Sequence, residues 1–297
     1  MMQIHSERGW NLMFEALQYQ FFQNALIIAV LASLASGMIG TYIVIKRMSL
    51  ISGAIAHAAF GGLGISYFLN SNPLIGGIIF SLLSAVSIAV FRKGARVDTL
   101  LSFMWATGMA LGLVFIFLTP GYATDLFTYL FGNILLVSRA DLIMILILDI
   151  VILSTIILMF NSFLSVSFDE EFSESRNTNV TLVNIVLFSL IALTIVATIR
   201  VVGIVLMIAI LTIPAATAQL FFKTVKRIMV GSSIITLLAV VSGLYISYYL
   251  VFATGPIIVL IIALIYVLSL VISGLRTQKV PKVSCEDNDF VFMEVRE

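Results

Sequence analysis

The amino-acid sequence predicts an all-α polytopic membrane protein, a helical bundle of eight to nine transmembrane helices. Hydrophobic residues make up 61% of the 297 residues and charged residues only 10%, whereas soluble domains carry about 25% charged residues. Apolar stretches of about 20 residues, the length that crosses a bilayer, recur along the chain. The net charge of +1 gives no reason to expect a nucleic-acid partner.

The chain divides into three parts by charge and hydrophobicity. Residues 1–22 are predicted to form an amphipathic lead-in helix on the membrane surface, because their apolar side chains fall at helical spacing. Residues 23–275 form the membrane domain, and residues 276–297 a polar tail. The single cysteine, Cys285, lies in that tail, so a disulfide within one chain is excluded.

Nine apolar segments are candidate spans, and proline or glycine stands at several of the breaks between them. They cover residues 24–45, 49–69, 73–91, 99–119, 139–160, 180–199, 201–221, 228–251 and 256–275. No loop separates 180–199 from 201–221. The alternative is therefore that one of these two is a half-span, which gives eight spans.

Lysine and arginine predict the orientation of the spans. They cluster at residues 46–47, 92–96, 223–227 and 276–282, which are alternate ends of the spans. Because cytoplasmic loops carry the excess of basic residues, we expect these ends and the C-terminus in the cytoplasm. The apolar segment 125–137 is too short to cross, so it is either a re-entrant helix or an ordinary packed loop.

His57 lies in the middle of an apolar segment, where an ionisable side chain costs free energy and usually faces an ion route or a polar group. A neutral imidazole binds Zn²⁺ and other transition metals. The alternative is a structural histidine bonded to a backbone carbonyl. Gly53 and Gly61 lie one helical turn to either side, and such a bare face either packs closely against another helix or leaves a passage.

Two further positions within the spans are candidates for the transport path. Asp149 could join a cation route, but it could equally accept a hydrogen bond while protonated or lie on a dimer face. Pro214 is expected to kink its helix and free the carbonyl of Ile210, and Thr212 and Thr217 could satisfy backbone groups of this kind. Kinked helices often line transport paths, although many serve packing alone.

A short cytoplasmic helix is predicted at about residues 167–178. Ser167 and Glu170 have the spacing of a capping box, and Asn177 or Asn179 can end the helix. The helix would carry an acidic rim and one aromatic face, suited to a partner's groove. The alternative is that the aromatic pair rests on lipid or on the bundle. The residues concerned are Phe168, Asp169, Glu170, Glu171 and Phe172.

Four stretches together resemble the permease subunits of ABC-type importers for zinc, manganese and iron. They are residues 46–58, 129–135, 168–172 and 202–218, in the family's order. The resemblance implies a multi-pass homodimer in a prokaryotic inner membrane. It also implies a cytoplasmic ATPase seated on Phe168–Arg176 and an extracytoplasmic metal-binding protein.

The resemblance further implies that His57 is a metal ligand on the path, with metal as cargo and no permanently bound cofactor. Many members carry Asp where this chain has Gly53, and the missing carboxylate favours zinc over manganese. No Gly-x-x-x-x-Gly-Lys-Ser/Thr pattern occurs, so the chain is expected to transport without being the ATPase itself. An ion-coupled secondary transporter is the alternative, but it would need several intramembrane acids, and only Asp149 qualifies.

Overall fold

The computed structural model describes residues 18–91, 97–119, 130–132, 134, 138–204, 207–250 and 252–277. Helices account for these ranges almost entirely, and no strand occurs in them, which confirms the all-α class. In chain order the helices are α1 Gln20–Ile45, α2 Leu50–Phe68, α3 Pro73–Phe91, α4 Val97–Leu118, α5 Arg139–Leu158, α6 Phe160–Phe168, α7 Glu170–Ser175, α8 Val180–Val202, α9 Met207–Phe221, α10 Val225–Leu250 and α11 Thr254–Thr277.

Eight of the described helices are long and apolar enough to cross a membrane: α1 to α5, α8, α10 and α11. The remaining apolar helix, α9, has 15 residues, which at 1.5 Å per residue reach only about 22 Å. Eight helices of full spanning length, with the shorter α9 in 201–221, match the eight-span alternative. Helix α9 brings the chain back to the end of the bundle where α8 begins, because Lys46, Glu170 and Lys223 line one cavity there.

Gly203 ends α8 and separates it from α9. Its φ is +84°, a left-handed conformation that other residues rarely adopt. A Cβ at this position would lie 2.5 Å from Gly132 N and from Phe131 C, so a side chain has no room. The described part of the predicted re-entrant segment, residues 130–132 and 134, thus packs against this break, and the rest of 125–137 lies outside the described residues.

Helix α8 is the centre of the bundle. It packs against α1, α3 and α5 and, less extensively, against α2, α6, α9 and α11. On one side of it, α2 lies between α3 and α4, where glycines allow the backbones to touch: a Cβ at Gly62 would lie 2.7 Å from Gly76 C. In a membrane the lipid tails are as apolar as the side chains, so the hydrophobic effect does not hold helices together. Close backbone contact supplies van der Waals packing energy instead.

The first helix begins at Gln20, four residues before the predicted start of the first span. Phe22 is fully buried and packs edge-on against Tyr245 of α10, with ring centroids 5.0 Å apart. The last residues of the predicted lead-in 1–22 are therefore part of the bundle, and residues 1–17 and the tail beyond Thr277 lie outside the described residues.

Candidate functional site

His57 is buried near the middle of α2, with 7% of its surface exposed. Its Nδ1 atom is buried and has no hydrogen-bond partner among the described residues. A purely structural histidine would donate a hydrogen bond to a backbone carbonyl, and within the described ranges no such bond is made by Nδ1. The imidazole stacks instead on the indole of Trp105 in α4, with ring centroids 4.6 Å apart and planes inclined by 24°.

The glycines around His57 face α4. A Cβ at Gly53 would lie 2.7 Å from Cη2 of Trp105, and a Cβ at Gly61 would lie 2.9 Å from the carbonyl oxygen of Gly108. Both distances are shorter than real Cβ atoms show. In this structure the bare face predicted around His57 is therefore filled by the neighbouring helix.

Asp149 lies in a different part of the bundle. It is 1% exposed, and neither carboxyl oxygen has a hydrogen-bond partner among the described residues. Its helix α5 packs against α1 and α8, whereas α2 packs mainly against α3 and α4. In the described ranges no group of three or more His, Cys, Asp or Glu residues could hold a metal ion.

Pro214 is buried inside α9. The hydroxyl of Thr212 donates to the carbonyl of Ile208 at 2.6 Å, and that of Thr217 donates to the carbonyl of Ile213 at 2.8 Å. Each hydroxyl therefore bonds the carbonyl four residues before its own position, and neither bonds the carbonyl of Ile210.

A helix is present within the predicted range 167–178, but it is shorter than predicted, at Glu170–Ser175. Helix α6 runs through Ser167, so the predicted capping box with Glu170 is wrong. Asp169 is the cap: its backbone is extended and its side chain accepts from Phe172 N at 2.9 Å. Asn177 is left-handed, with φ of 58°, as predicted for a helix end.

The predicted aromatic pair is divided between two helices, because Phe168 ends α6 and Phe172 lies in α7. Both side chains are exposed, Phe168 at 68% and Phe172 at 54%. The guanidinium of Arg176 lies 5.3 Å from the Phe172 ring centroid, which covers one face of that ring. Asp169 and Glu171 are also exposed. Four of the five residues from Phe168 to Phe172 are thus exposed on the outside of the bundle.

Glu170 points the other way, into the bundle. Its Oε1 lies 2.9 Å from Nζ of Lys46, which is only 6% exposed. Lys46 also donates to the carbonyl of Val166 at 3.2 Å, and Asn184 of α8 donates to the same Oε1 at 3.4 Å. Glu170 therefore connects α7 to the end of α1 and to α8. The sequence placed it on the acidic rim, since nothing local relates positions 124 residues apart.

Lys46 lines a cavity of about 860 Å³ at this end of the bundle. The cavity lies between the α1–α2 turn, the α6–α7 segment and the α9–α10 turn, and Arg47, Gln219 and Lys223 also line it. Three of the polar turns and segments that the sequence places on one side of the membrane thus meet in space.

Comparison with known proteins identifies the kind of protein to which this bundle belongs. A family model described as the ABC 3 transport family matches residues 18–273. The chain belongs to this family. It is 42% identical over 260 residues to an uncharacterized membrane protein of Synechocystis sp., covering 87% of this chain and 92% of that protein. It is 35% identical over 252 residues to the manganese transport system membrane protein MntC of Listeria monocytogenes, covering 84% and 90%.

A solved structure shares the fold. PsaBC from Streptococcus pneumoniae in complex with Fab superposes with a TM-score of 0.79 at 34% identity, covering 86% of this chain and 93% of that chain. The resemblance to permease subunits of ABC-type metal importers is confirmed. As a member of the ABC 3 transport family, the chain is the membrane permease of such an importer, a transport component rather than an enzyme.

Proposed function

We propose that this permease carries manganese into the cytoplasm through a path that includes His57, driven by a separate ATPase. The observation that supports a metal ligand is the buried Nδ1 of His57, which has no hydrogen-bond partner among the described residues. A buried polar atom left without a partner costs about 1–3 kcal/mol, and a transported cation would supply the missing interaction.

The relatives favour manganese over zinc. The protein at 35% identity from Listeria monocytogenes is named for manganese transport, whereas the preference for zinc rested on the absent carboxylate at Gly53. A lone imidazole binds zinc more tightly than manganese, so the choice of manganese comes from the relatives and not from this ligand. The cargo is therefore assigned from the relatives and the ligand from the geometry.

The ligand is tested with His57→Ala, measuring uptake of radioactive manganese and zinc in cells lacking their own importer. We expect manganese uptake to fall to background while the permease stays in the membrane. Ser66→Ala, a buried polar position on the same helix, is the matched control and keeps uptake. Uptake that survives His57→Ala would remove His57 from the path, and rescue by zinc alone would reverse the choice of metal.

The exposed segment Phe168–Phe172, where α6 meets α7, is proposed as the seat of the ATPase. Phe168 and Phe172 supply the apolar contact, and Asp169 and Glu171 the acidic rim, while Glu170 holds α7 onto the bundle. Co-purification of the ATPase should be lost in the double variant Phe168→Ala/Phe172→Ala. Phe117→Ala, at a position of α4 that is 85% exposed, should leave it intact. Equal co-purification in both variants would contradict this seat.

The orientation and assembly complete the proposal. We place the end of the bundle that carries Lys46 and Lys223 in the cytoplasm with the C-terminus, and a metal-binding protein at the opposite end. A second copy is expected in the membrane, since α4 and α11 are each buried over only 17% of their apolar windows. Labelling of Cys285 by an impermeant maleimide only after cells are permeabilised would support this orientation, and labelling of intact cells would reverse it.

A further inference from the structure

Trp105 covers the one imidazole buried in the described part of the bundle. Its indole lies against the ring of His57 with centroids 4.6 Å apart and planes at 24°. Nδ1 of His57 is sealed from solvent and has no hydrogen-bond partner in the same ranges. In this arrangement a cation has no access to Nδ1, because that atom is buried while the indole holds the ring in place.

Gly53 provides the space that the indole occupies. A Cβ added at Gly53 would lie 2.7 Å from Cη2 of Trp105 and 2.7 Å from Cδ1 of Ile208. Any side chain at this position therefore has to displace the indole of Trp105 and the end of the Ile208 side chain. The glycine and the tryptophan fit each other, and together they define the wall in front of His57.

The helix that carries Trp105 is fixed at this level. A Cβ at Gly108, one turn further along α4, would lie 2.5 Å from the carbonyl oxygen of His57 and 2.7 Å from Ala58 N. The two backbones are thus in contact, so moving α4 away would break packing along its length. A rotation of the Trp105 side chain breaks only the stack, and the indole is half-buried, which leaves it an open side.

We propose that Trp105 is the gate of His57. Stacked, the indole holds the imidazole with Nδ1 buried, and unstacked, it releases the ring to bind a divalent cation. Gly53 has no side chain and therefore leaves room for the stacked, closed position of the indole. Trp105 is therefore a positioning residue that acts through His57, and the inference rests on the proposed import of a metal.

The accessibility of His57 tests the gate directly. The full-length permease with its ATPase, in lipid nanodiscs, is treated with diethyl pyrocarbonate, and acylation of each histidine is followed by mass spectrometry. His5, the chain's other histidine, is the internal reference. We expect Trp105→Ala to raise acylation of His57 relative to His5 by about two- to tenfold, the population change that loss of one aromatic stack produces.

Two further variants separate gating from a general loss of structure. Trp105→Phe retains a ring that can stack and should stay close to wild type. Gly53→Ala pushes the indole off the imidazole and should raise acylation as Trp105→Ala does, with no further rise in the double variant. Wild-type acylation in both Trp105→Ala and Gly53→Ala would overturn the gate.

Protection by metal links the gate to transport and distinguishes the two proposals. The concentration of MnCl₂ or ZnCl₂ that halves acylation of His57 should fall in Trp105→Ala by the same factor by which acylation rises, because the binding-competent population grows. Acylation that responds to both substitutions without any protection by metal would overturn His57 as a metal ligand, and with it the proposed function. Intact protection with unchanged acylation would overturn the gate alone.

Discussion

The ion pair between Lys46 and Glu170 makes the sharpest prediction for stability. Nζ of Lys46 lies 2.9 Å from Oε1 of Glu170, and the side chains are 6% and 27% exposed. Removing one partner of a fully buried pair costs about 3–5 kcal/mol because a charge is left in a poor environment. The exposure of Glu170 brings water to the pair, so we reduce this to about 2 kcal/mol.

The two single substitutions should differ in size. Glu170→Gln leaves the ammonium of Lys46 facing a neutral amide at a nearly buried position, and we expect a loss of about 2 kcal/mol. Lys46→Met leaves the carboxylate of Glu170 where water reaches it, and about 1 kcal/mol should be lost. The double variant should be more stable than the sum of the singles predicts, by about 1 kcal/mol.

Unfolding in mixed micelles of increasing SDS fraction measures these differences in the purified permease. Lys223→Met is the matched control, because Lys223 lines the same cavity and is exposed, so its loss should change stability by less than about 0.5 kcal/mol. If the double variant loses as much stability as the two single variants together, within about 0.5 kcal/mol, the reasoning is refuted. Such additivity is what two independent sites show.

Three further predictions concern packing, capping and charge. Gly62→Ala should destabilise the bundle by about 1–3 kcal/mol through overpacking against α3, while Gly274→Ala, with nothing within 4 Å, should be neutral or slightly stabilising in the same SDS titration. Asp169→Ala should cost about 1 kcal/mol as a lost helix cap, whereas Ser167→Ala should cost less, and equal losses would restore the predicted capping box. Asp149→Asn keeps the shape of the side chain, which lies in a different part of the bundle from His57. Manganese uptake should therefore persist, and a loss of uptake would place Asp149 on the transport path.

The membrane helices could be predicted because one physical quantity, the length of apolar sequence against the thickness of the bilayer, decides them. The third span, predicted at 73–91, is α3 at Pro73–Phe91. The number of spans was open only at 180–221, where apolar sequence runs on without a loop. The half-span there depends on the positive φ of Gly203 and its contact with Gly132, neither of which hydropathy contains.

Only those site residues that are unusual within their own sequence segment could be predicted, and contacts between distant segments could not. An imidazole in an apolar helix stands out, so His57 was found, but Trp105 reads as an ordinary core aromatic until α4 is laid against α2. The cap moved from Ser167 to Asp169 because the preceding apolar helix continues through Phe168, and either residue type can cap. The inward turn of Glu170 depends on Lys46, which only the folded bundle brings near.

The central position of α8 has a consequence for the order in which the protein is assembled. Helices α1, α3 and α5 precede it in the chain, yet each has a face that packs against α8 in the finished bundle. While the chain is being synthesised, those faces must wait in lipid or against the insertion machinery until residue 202 has emerged. Docking of α8 is thus a late step that closes several interfaces together. A ribosome-bound chain cut short before α8 should consequently be far more sensitive to protease than one cut just after it.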